Sequence, residues 1–254
     1  MTRTFTTRFT ARRGLLGSFL KTPAAQPVEI LSKTGLDFIV IDEEHAPFNP
    51  ETVDHMILTA RATGIAPLVR VPNTDAILRV LDCGAEGVLV PHVSTPEKAA
   101  QMVDACFYQI GRRGFSPSGR AGAYGGVKRW DHMRDQDATI AAIAMIEDAE
   151  ALDHLDAICA TPGLTGLFIG RGDLTAALKA DAPTDAIVTD AVSAILSAAK
   201  RAGKPVMMMV ESPALAQGFA DQGATAFITG SDQSYLKRAA AQAAADYAAF
   251  RHGD

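Results

Sequence analysis

Eight short apolar runs recur along the chain, each followed by a segment with helical signals. Few folds accept that alternation. The runs are Leu15–Leu20, Phe38–Asp42, Ala66–Val71, Gly87–Pro91, Ala142–Glu147, Gly166–Ile169, Pro205–Val210 and Ala226–Thr229. Phe38–Asp42 starts with four apolar residues in succession, the pattern of a strand covered on both faces. Between the runs, Pro50–Thr63 repeats Val53, Met56, Ile57 and Ala60 at helical spacing, and Gly64 stops it. Further helices are predicted over Gln26–Lys33, Asp75–Cys83, Thr95–Phe107, Ala149–Ala160, Asp185–Ala202, Pro213–Gln222 and the alanine-rich Ser234–Phe250, with Gly170–Asp173 a tight loop followed by Leu174–Lys179. Strand–helix alternation predicts a parallel sheet with right-handed crossovers. Eight such units in 254 residues predict a closed (β/α)₈ TIM barrel, one α/β domain over residues 1–254. No Gly-rich dinucleotide fingerprint follows the first strand, which counts against an open doubly wound sheet.

Apolar residues at 48% suffice for so large a core. A net charge of −5 gives no basic surface for nucleic acid, and Arg112, Arg113 and Arg120 are too few to make one. Cys83, Cys106 and Cys159 lack the spacing of a disulfide framework or a zinc site and read as small buried residues. No apolar run approaches the roughly 18 residues of a membrane span, and no secretory leader is legible at the start. A cytoplasmic protein is expected.

A barrel places the residues just past each strand around one mouth. The second strand delivers Asp42, Glu44 and His45; the third, Arg70; the fourth, His92; the fifth, Glu147 and Asp148. The sixth delivers Arg171 and Asp173, the seventh Glu211, and the eighth Ser231 and Asp232. Carboxylates, histidines and arginines gathered this way make either a divalent-metal site with an anionic ligand or a set of structural ion pairs. Two carboxylates with waters suit a hard ion, Mg²⁺ or Mn²⁺, with Co²⁺ a third candidate; zinc more often takes imidazole or thiolate.

Several segments then carry a family resemblance. They are Asp-Phe-Ile-Val-Ile-Asp-Glu-Glu-His-Ala-Pro (37–47), Val-Arg-Val-Pro-Asn (69–73) and Leu-Asp-Cys-Gly-Ala-Glu-Gly-Val-Leu-Val-Pro (81–91). Gly-Arg-Arg-Gly-Phe (111–115), Ile-Glu (146–147) and Gly-Leu-Phe-Ile-Gly-Arg-Gly-Asp-Leu-Thr (166–175) follow in order. The chain resembles the HpcH/HpaI aldolases, the metal-dependent (class II) pyruvate aldolases. The resemblance implies reversible cleavage of a 4-hydroxy-2-oxo acid into an aldehyde and pyruvate, or hydroxypyruvate, through an enolate. Glu147 and Asp173 would bind the divalent ion. Arg70, supported by Asp42, would hold the ketone oxygen and steady the enolate. His45 would be the base, made more basic by Asp82. Amides near Gly172 and Asp173 would hold the substrate carboxylate.

Two positions depart from the family pattern. Met145 stands where a glutamine is usual, and Arg171 where a proline is usual. Arg171 is expected to reach substrate or to pair with an acid at the mouth. The Tyr108–Trp130 segment, with six glycines and four arginines, reads as a long functional loop, with Arg113 and Arg120 as candidates for binding the aldehyde. His92 is expected to support the site from a loop. His55, His132, His154 and His252 read as ordinary helix or surface positions, and Met207, Met208 and Met209 as core. By resemblance the enzyme would be a homohexamer exchanging C-terminal helices. The rival readings are a CoA-ester lyase of the citrate lyase type, and a non-catalytic metal-binding barrel.

Overall fold

β1 (Leu15–Leu20) pairs in parallel with both β2 (Phe38–Asp42) and β8 (Ala224–Ser231), and this double pairing closes the sheet. Between them run β3 (Ala66–Arg70), β4 (Gly87–Val90), β5 (Ala141–Ile146), β6 (Gly166–Ile169) and β7 (Val206–Met209), each beside its sequence neighbours. The computed structural model describes residues 4–12 and 14–251 and is the (β/α)₈ barrel that the alternation predicts. His252 lies outside the described residues.

Most apolar strand residues belong to one of two cores. Phe38, Val40, Leu68, Leu89, Ile143, Met145, Phe168, Met207 and Ile228 fill the inside of the barrel. Their neighbours Ile39, Ile41, Val69, Val88, Ile146, Leu167 and Met208 face the helices. This two-residue alternation between two apolar environments is why the strands read as unbroken apolar runs. It also sets what reaches the mouth: a residue two places beyond an inward-facing one stays on the inward side as the strand ends.

The helical layer is α2 (Gln26–Leu31), α3 (Pro50–Thr63), α4 (Ile77–Asp82), α5 (Pro96–Cys106), α6 (Arg129–Thr139), α7 (Leu155–Cys159), α8 (Arg171–Ala177), α9 (Ala186–Arg201), α10 (Pro213–Asp221) and α11 (Asp232–Asp246). Local chemistry fixes their starts. Asn49 accepts the Thr52 amide at 2.8 Å and Pro50 begins α3, a cap of about 1 kcal/mol.

One helix precedes the barrel. α1 (Phe5–Thr10) plugs its N-terminal end with Phe5 and Phe9, which stack at 5.2 Å, while Phe5 meets Phe38 edge-on at 5.1 Å. Neighbouring backbone makes room: a Cβ on Gly17 would lie 2.4 Å from the Phe38 ring, and one on Gly166 would lie 2.6 Å from Phe9.

Several boundaries differ from expectation. The Tyr108–Trp130 segment is not wholly irregular: a 3₁₀ turn occupies Arg120–Gly125 and α6 starts at Arg129. α6 buries one residue, His132, so no apolar stripe announced it. His132 is therefore no surface histidine; it sits between Tyr108 and Phe115, 5.7 and 5.8 Å away. β8 is longer than predicted because Ser231 still pairs with Phe19 of β1. α11 starts earlier than predicted, since Ser231 and Ser234 form a reciprocal cap. Met209 is not core: two places beyond inward-facing Met207, it is 40% exposed at the mouth.

Candidate active site

Asp42 ends β2, fully buried, and organises the mouth from below. Its Oδ1 accepts Arg70 Nε at 2.8 Å and the His45 amide at 3.1 Å. Its Oδ2 accepts Arg70 Nη2 at 2.6 Å and lies 3.1 Å from Lys21 Nζ. Burial works against ionisation, but the hydrogen bond and charge of Arg70, with the His45 amide and Lys21, overcome it and hold the Asp42 carboxyl below its ordinary range.

Arg70 ends β3, in register with Asp42 across the strand pair. Its guanidinium is further fixed by Glu44 at 3.3 Å and by the Phe19 ring, 4.9 Å from its centre. His45, half-exposed on the turn after β2, has Nε2 3.7 Å from Glu44. Glu43 faces the other way and pairs with Arg79 of α4 at 2.5 Å.

Glu147 follows β5, two places beyond inward-facing Met145. Its Oε1 accepts the His92 amide at 3.0 Å. His92 holds a left-handed backbone, φ +55°, uncommon outside glycine, and its Nδ1 lies 3.1 Å from Asp148. Burial pulls the His92 imidazole down, but the hydrogen bond and charge of Asp148, with Glu147 and Glu44, leave it raised overall. Glu147 Oε2 is buried with no hydrogen-bond partner among the described residues. Burial pushes this carboxyl up; Asp173 and Glu44 add to that, against the His92 amide and ring.

Gly170 explains how so tight a carboxylate fits. A Cβ there would lie 2.4 Å from Glu147 Oε2. α8 starts at the next residue, with Gly172 and Asp173 in its first turn, where amides lack intrahelical acceptors and a carboxylate is favoured.

A cavity of about 420 Å³ unites His45, Arg70, Glu147, Gly172 and Asp173. Arg171 lines it too, bound to both Glu211 oxygens at 2.6 and 2.7 Å and lying over the Phe219 ring. Of the two alternatives read from the sequence for Arg171, the acid at the mouth is the partner present. Met145 and Phe168 form an apolar floor, so the Met145 position offers no polar contact. Larger concavities exist, about 520 Å³ below the barrel near Thr6 and Lys204 and about 630 Å³ beside α10. The mouth is the better candidate because it gathers the strand-tip acids, the buried arginine and the histidine.

Several expected residues do not line this cavity. Asp82, the last residue of α4, instead pairs with Arg113 at 2.7 Å. Arg113 is itself buried beneath Tyr108, its guanidinium 4.6 Å from the ring. Arg120 pairs with Asp54 and donates to the Cys83 carbonyl at 2.9 Å. These pairs occupy the α4–loop face, away from His45 within this chain. Asp232 is likewise engaged, accepting the Lys21 and Thr22 amides at 2.9 and 3.0 Å.

Two mouth residues escaped the strand-tip reading: Lys21 after β1, and Met209. The first strand has no acid or histidine at its tip to attract notice. Its parity was available, since Lys21 lies two places beyond Phe19.

Among the described residues no three His, Cys, Asp or Glu side chains form a ready-made metal cage. The mouth offers a carboxylate pair. The partnerless, buried Glu147 Oε2 beside Asp173 is nevertheless what a cation site leaves behind, since a buried carboxylate oxygen is costly without a partner.

A sequence profile of HpcH/HpaI aldolase/citrate lyase proteins matches residues 15–239. Over 231 residues the chain is 36% identical to 5-keto-4-deoxy-D-glucarate aldolase of Salmonella paratyphi A (strain ATCC 9150 / SARB42), covering 87% of this chain and 88% of that one. The crystal structure of citrate synthase SbnG is similar with TM-score 0.88, 31% identity and 96% coverage of each chain. That of an HpcH/HpaI aldolase/citrate lyase family protein from Burkholderia cenocepacia J2315 has TM-score 0.89 and 30% identity, covering 95% of this chain and 97% of that one.

Proposed function

The chain belongs to the HpcH/HpaI aldolase/citrate lyase family, and from that premise we propose how its mouth makes and breaks a carbon–carbon bond. The enzyme is a carbon–carbon lyase, an aldolase. Its reaction is the reversible cleavage of a 4-hydroxy-2-oxo acid into an aldehyde and pyruvate, or hydroxypyruvate. One observation carries the residue assignment: Glu147 Oε2 lies buried, with no partner among the described residues, in the cavity that also holds Arg70 and His45.

Glu147 and Asp173 would hold a divalent ion, Mg²⁺, Mn²⁺ or Co²⁺. When bound, it supplies positive charge to the 2-oxo acid and lowers the cost of forming an enolate. The chain's own residues do the rest. Arg70, immobilised by Asp42, presents a permanent cation to the ketone oxygen, where negative charge develops when C3 loses its proton. Fixing it beforehand removes reorganisation from the reaction step. His45 takes the proton and in cleavage removes one from the C4 hydroxyl. The first-turn amides of Gly172 and Asp173 receive the substrate carboxylate. Met145 and Phe168 exclude water from below. No lysine Schiff base is needed.

The assembly is proposed to be a homohexamer. α11 buries none of its residues and leaves Leu236 72% exposed, and the concavity that its own Tyr235 and Arg238 share with α10 stays open; helices of a neighbouring subunit packed there would cover both. Asp82 would then serve His45 of a neighbouring subunit, since the two do not meet within one chain. No helix among the described residues is long and apolar enough to cross a membrane. Cys83, Cys106 and Cys159 are unpaired, which supports our placement of the enzyme in the cytoplasm. Burial pushes the Cys83 and Cys106 thiols up to about 12 and Cys159 to about 11, which disfavours the reactive thiolate near neutral pH.

The test is proton exchange at pyruvate C3, followed by NMR in deuterated buffer, together with condensation against an aldehyde panel. EDTA should stop both and added Mg²⁺, Mn²⁺ or Co²⁺ should restore them. Exchange that persists in EDTA would rule out the metal-assisted reading. Substituting a CoA thioester for pyruvate examines the citrate lyase alternative, which the likeness to citrate synthase SbnG keeps in view.

A further inference from the structure

We propose that His92 is a positioning residue for metal binding: its left-handed backbone, and not its imidazole, aims Glu147 at the ion. This rests on Glu147 being a ligand of that ion.

Five non-glycine residues among those described hold a positive φ, and His92, at +55°, is the one that hydrogen-bonds an acid of the catalytic cavity. Its amide donates to Glu147 Oε1 at 3.0 Å. A free carboxylate can rotate and offer a cation either oxygen or both. With Oε1 held by a backbone N–H, that rotation is opposed and Oε2 is left to coordinate. Oε2 is the oxygen found buried against Gly170, with no partner among the described residues.

The surroundings over-determine the turn between β4 and α5. The His92 carbonyl accepts the Ser94 amide at 3.0 Å and Lys98 Nζ at 3.1 Å. Lys98 Nζ also reaches Ser94 Oγ at 3.0 Å, and that hydroxyl donates to Glu150 Oε2 at 2.6 Å. The Val93 amide donates to the Met145 carbonyl at 3.2 Å, tying the turn to the strand that carries Glu147. Both peptide groups flanking the His92 Cα are therefore bonded, and they fix φ between them. A residue outside glycine keeps a positive φ where contacts of this kind hold it, and such residues gather at ligand sites.

The ring is occupied elsewhere. Nδ1 lies 3.1 and 3.2 Å from the two Asp148 oxygens and 3.8 Å from Glu147 Oε1, beyond hydrogen-bonding reach. The side chain is 58% exposed and does not line the cavity. Histidine suits the position because it enters the left-handed region more readily than most residues, whereas a β-branched residue resists it.

The experiment is a Mn²⁺ titration of the metal-free full chain by calorimetry, beside urea melts. His92→Gly and His92→Asn accept a positive φ and should keep Mn²⁺ affinity within about twofold. His92→Val should lower it about tenfold or more, and saturating Mn²⁺ should then restore C3 exchange. Should the Val variant not fold, His92→Ala against His92→Gly carries the comparison: both lack the ring, and the Ala variant should bind Mn²⁺ about fivefold more weakly. A Gly variant as impaired as Val would make the imidazole the carrier and overturn the proposal. A Val variant of wild-type affinity overturns it too, as does C3 exchange that stays lost at saturating Mn²⁺. Wild-type Mn²⁺ affinity in Glu147→Gln would instead remove the ligand assignment beneath it.

Discussion

Asp42 grips Arg70 through both carboxylate oxygens, and neither side chain is more than marginally exposed. The pair therefore acts as one rigid unit, so removing either member should cost both stability and catalysis. Asp42→Asn leaves a buried guanidinium short of its counter-charge and should destabilise the fold by about 3 kcal/mol, read from urea melts. Pyruvate C3 exchange should fall about a hundredfold or more. The pH dependence has a defined sign. The folded Asp42 carboxyl sits below its ordinary value, so the pair's contribution is complete above that value and is lost as pH falls toward the folded one. The Asn variant should lack that acid-side loss.

Gly170→Ala tests the carboxylate pair without touching either acid. The new methyl would lie 2.4 Å from Glu147 Oε2 and 2.8 Å from its Cβ. Glu147 must then shift. Affinity for Mn²⁺, followed by calorimetry, should drop at least tenfold while the circular dichroism spectrum is kept. Undiminished Mn²⁺ affinity would argue against Glu147 as a ligand.

Arg171→Pro restores the usual family residue and deprives Glu211 of its partner. The ratio of kcat/KM between aldehydes should shift about tenfold. C3 exchange, which involves no aldehyde, should change less. The reverse pattern would place Arg171 in the enolate chemistry.

His132 should make stability pH-sensitive near neutrality. Burial, then the charge of Arg113, holds its imidazole below the ordinary value of about 6.5. As pH falls through that value the unfolded chain binds the proton first, so stability drops; above it both states are neutral and the effect vanishes. His132→Phe should flatten the difference between urea melts at pH 7.5 and 5.5.

Removing residues 232–254 should convert the proposed hexamer into smaller species, measured by sedimentation velocity. Wild-type protein that is monomeric at micromolar concentration would defeat the exchange proposal. Asp82→Asn should then be silent, whereas in a hexamer it should lower C3 exchange.

The sequence by itself determined the barrel and most of its mouth. Strands buried on both faces must be continuously apolar, and helices need caps and stops, so periodicity and punctuation locate eight units without reference to distant contacts. A polar residue at the end of such a run has one place to go, which is why Asp42, Arg70 and Glu147 were legible at the strand tips, whereas Asp173 stands in the first turn of α8, four residues past β6. α1 and α6 were not, because Phe5 and Phe9 gain their partners from β2 and β6, and α6 has no apolar face of its own. Only tertiary structure separated Arg171, held at the mouth by Glu211, from Arg120 and Asp82, which α3 and the loop draw outward through Asp54 and Arg113. Only it brought Lys21 beside Asp42, one step beyond the Leu20–Ile41 pair of β1 and β2, because ion pairing is decided by through-space distance.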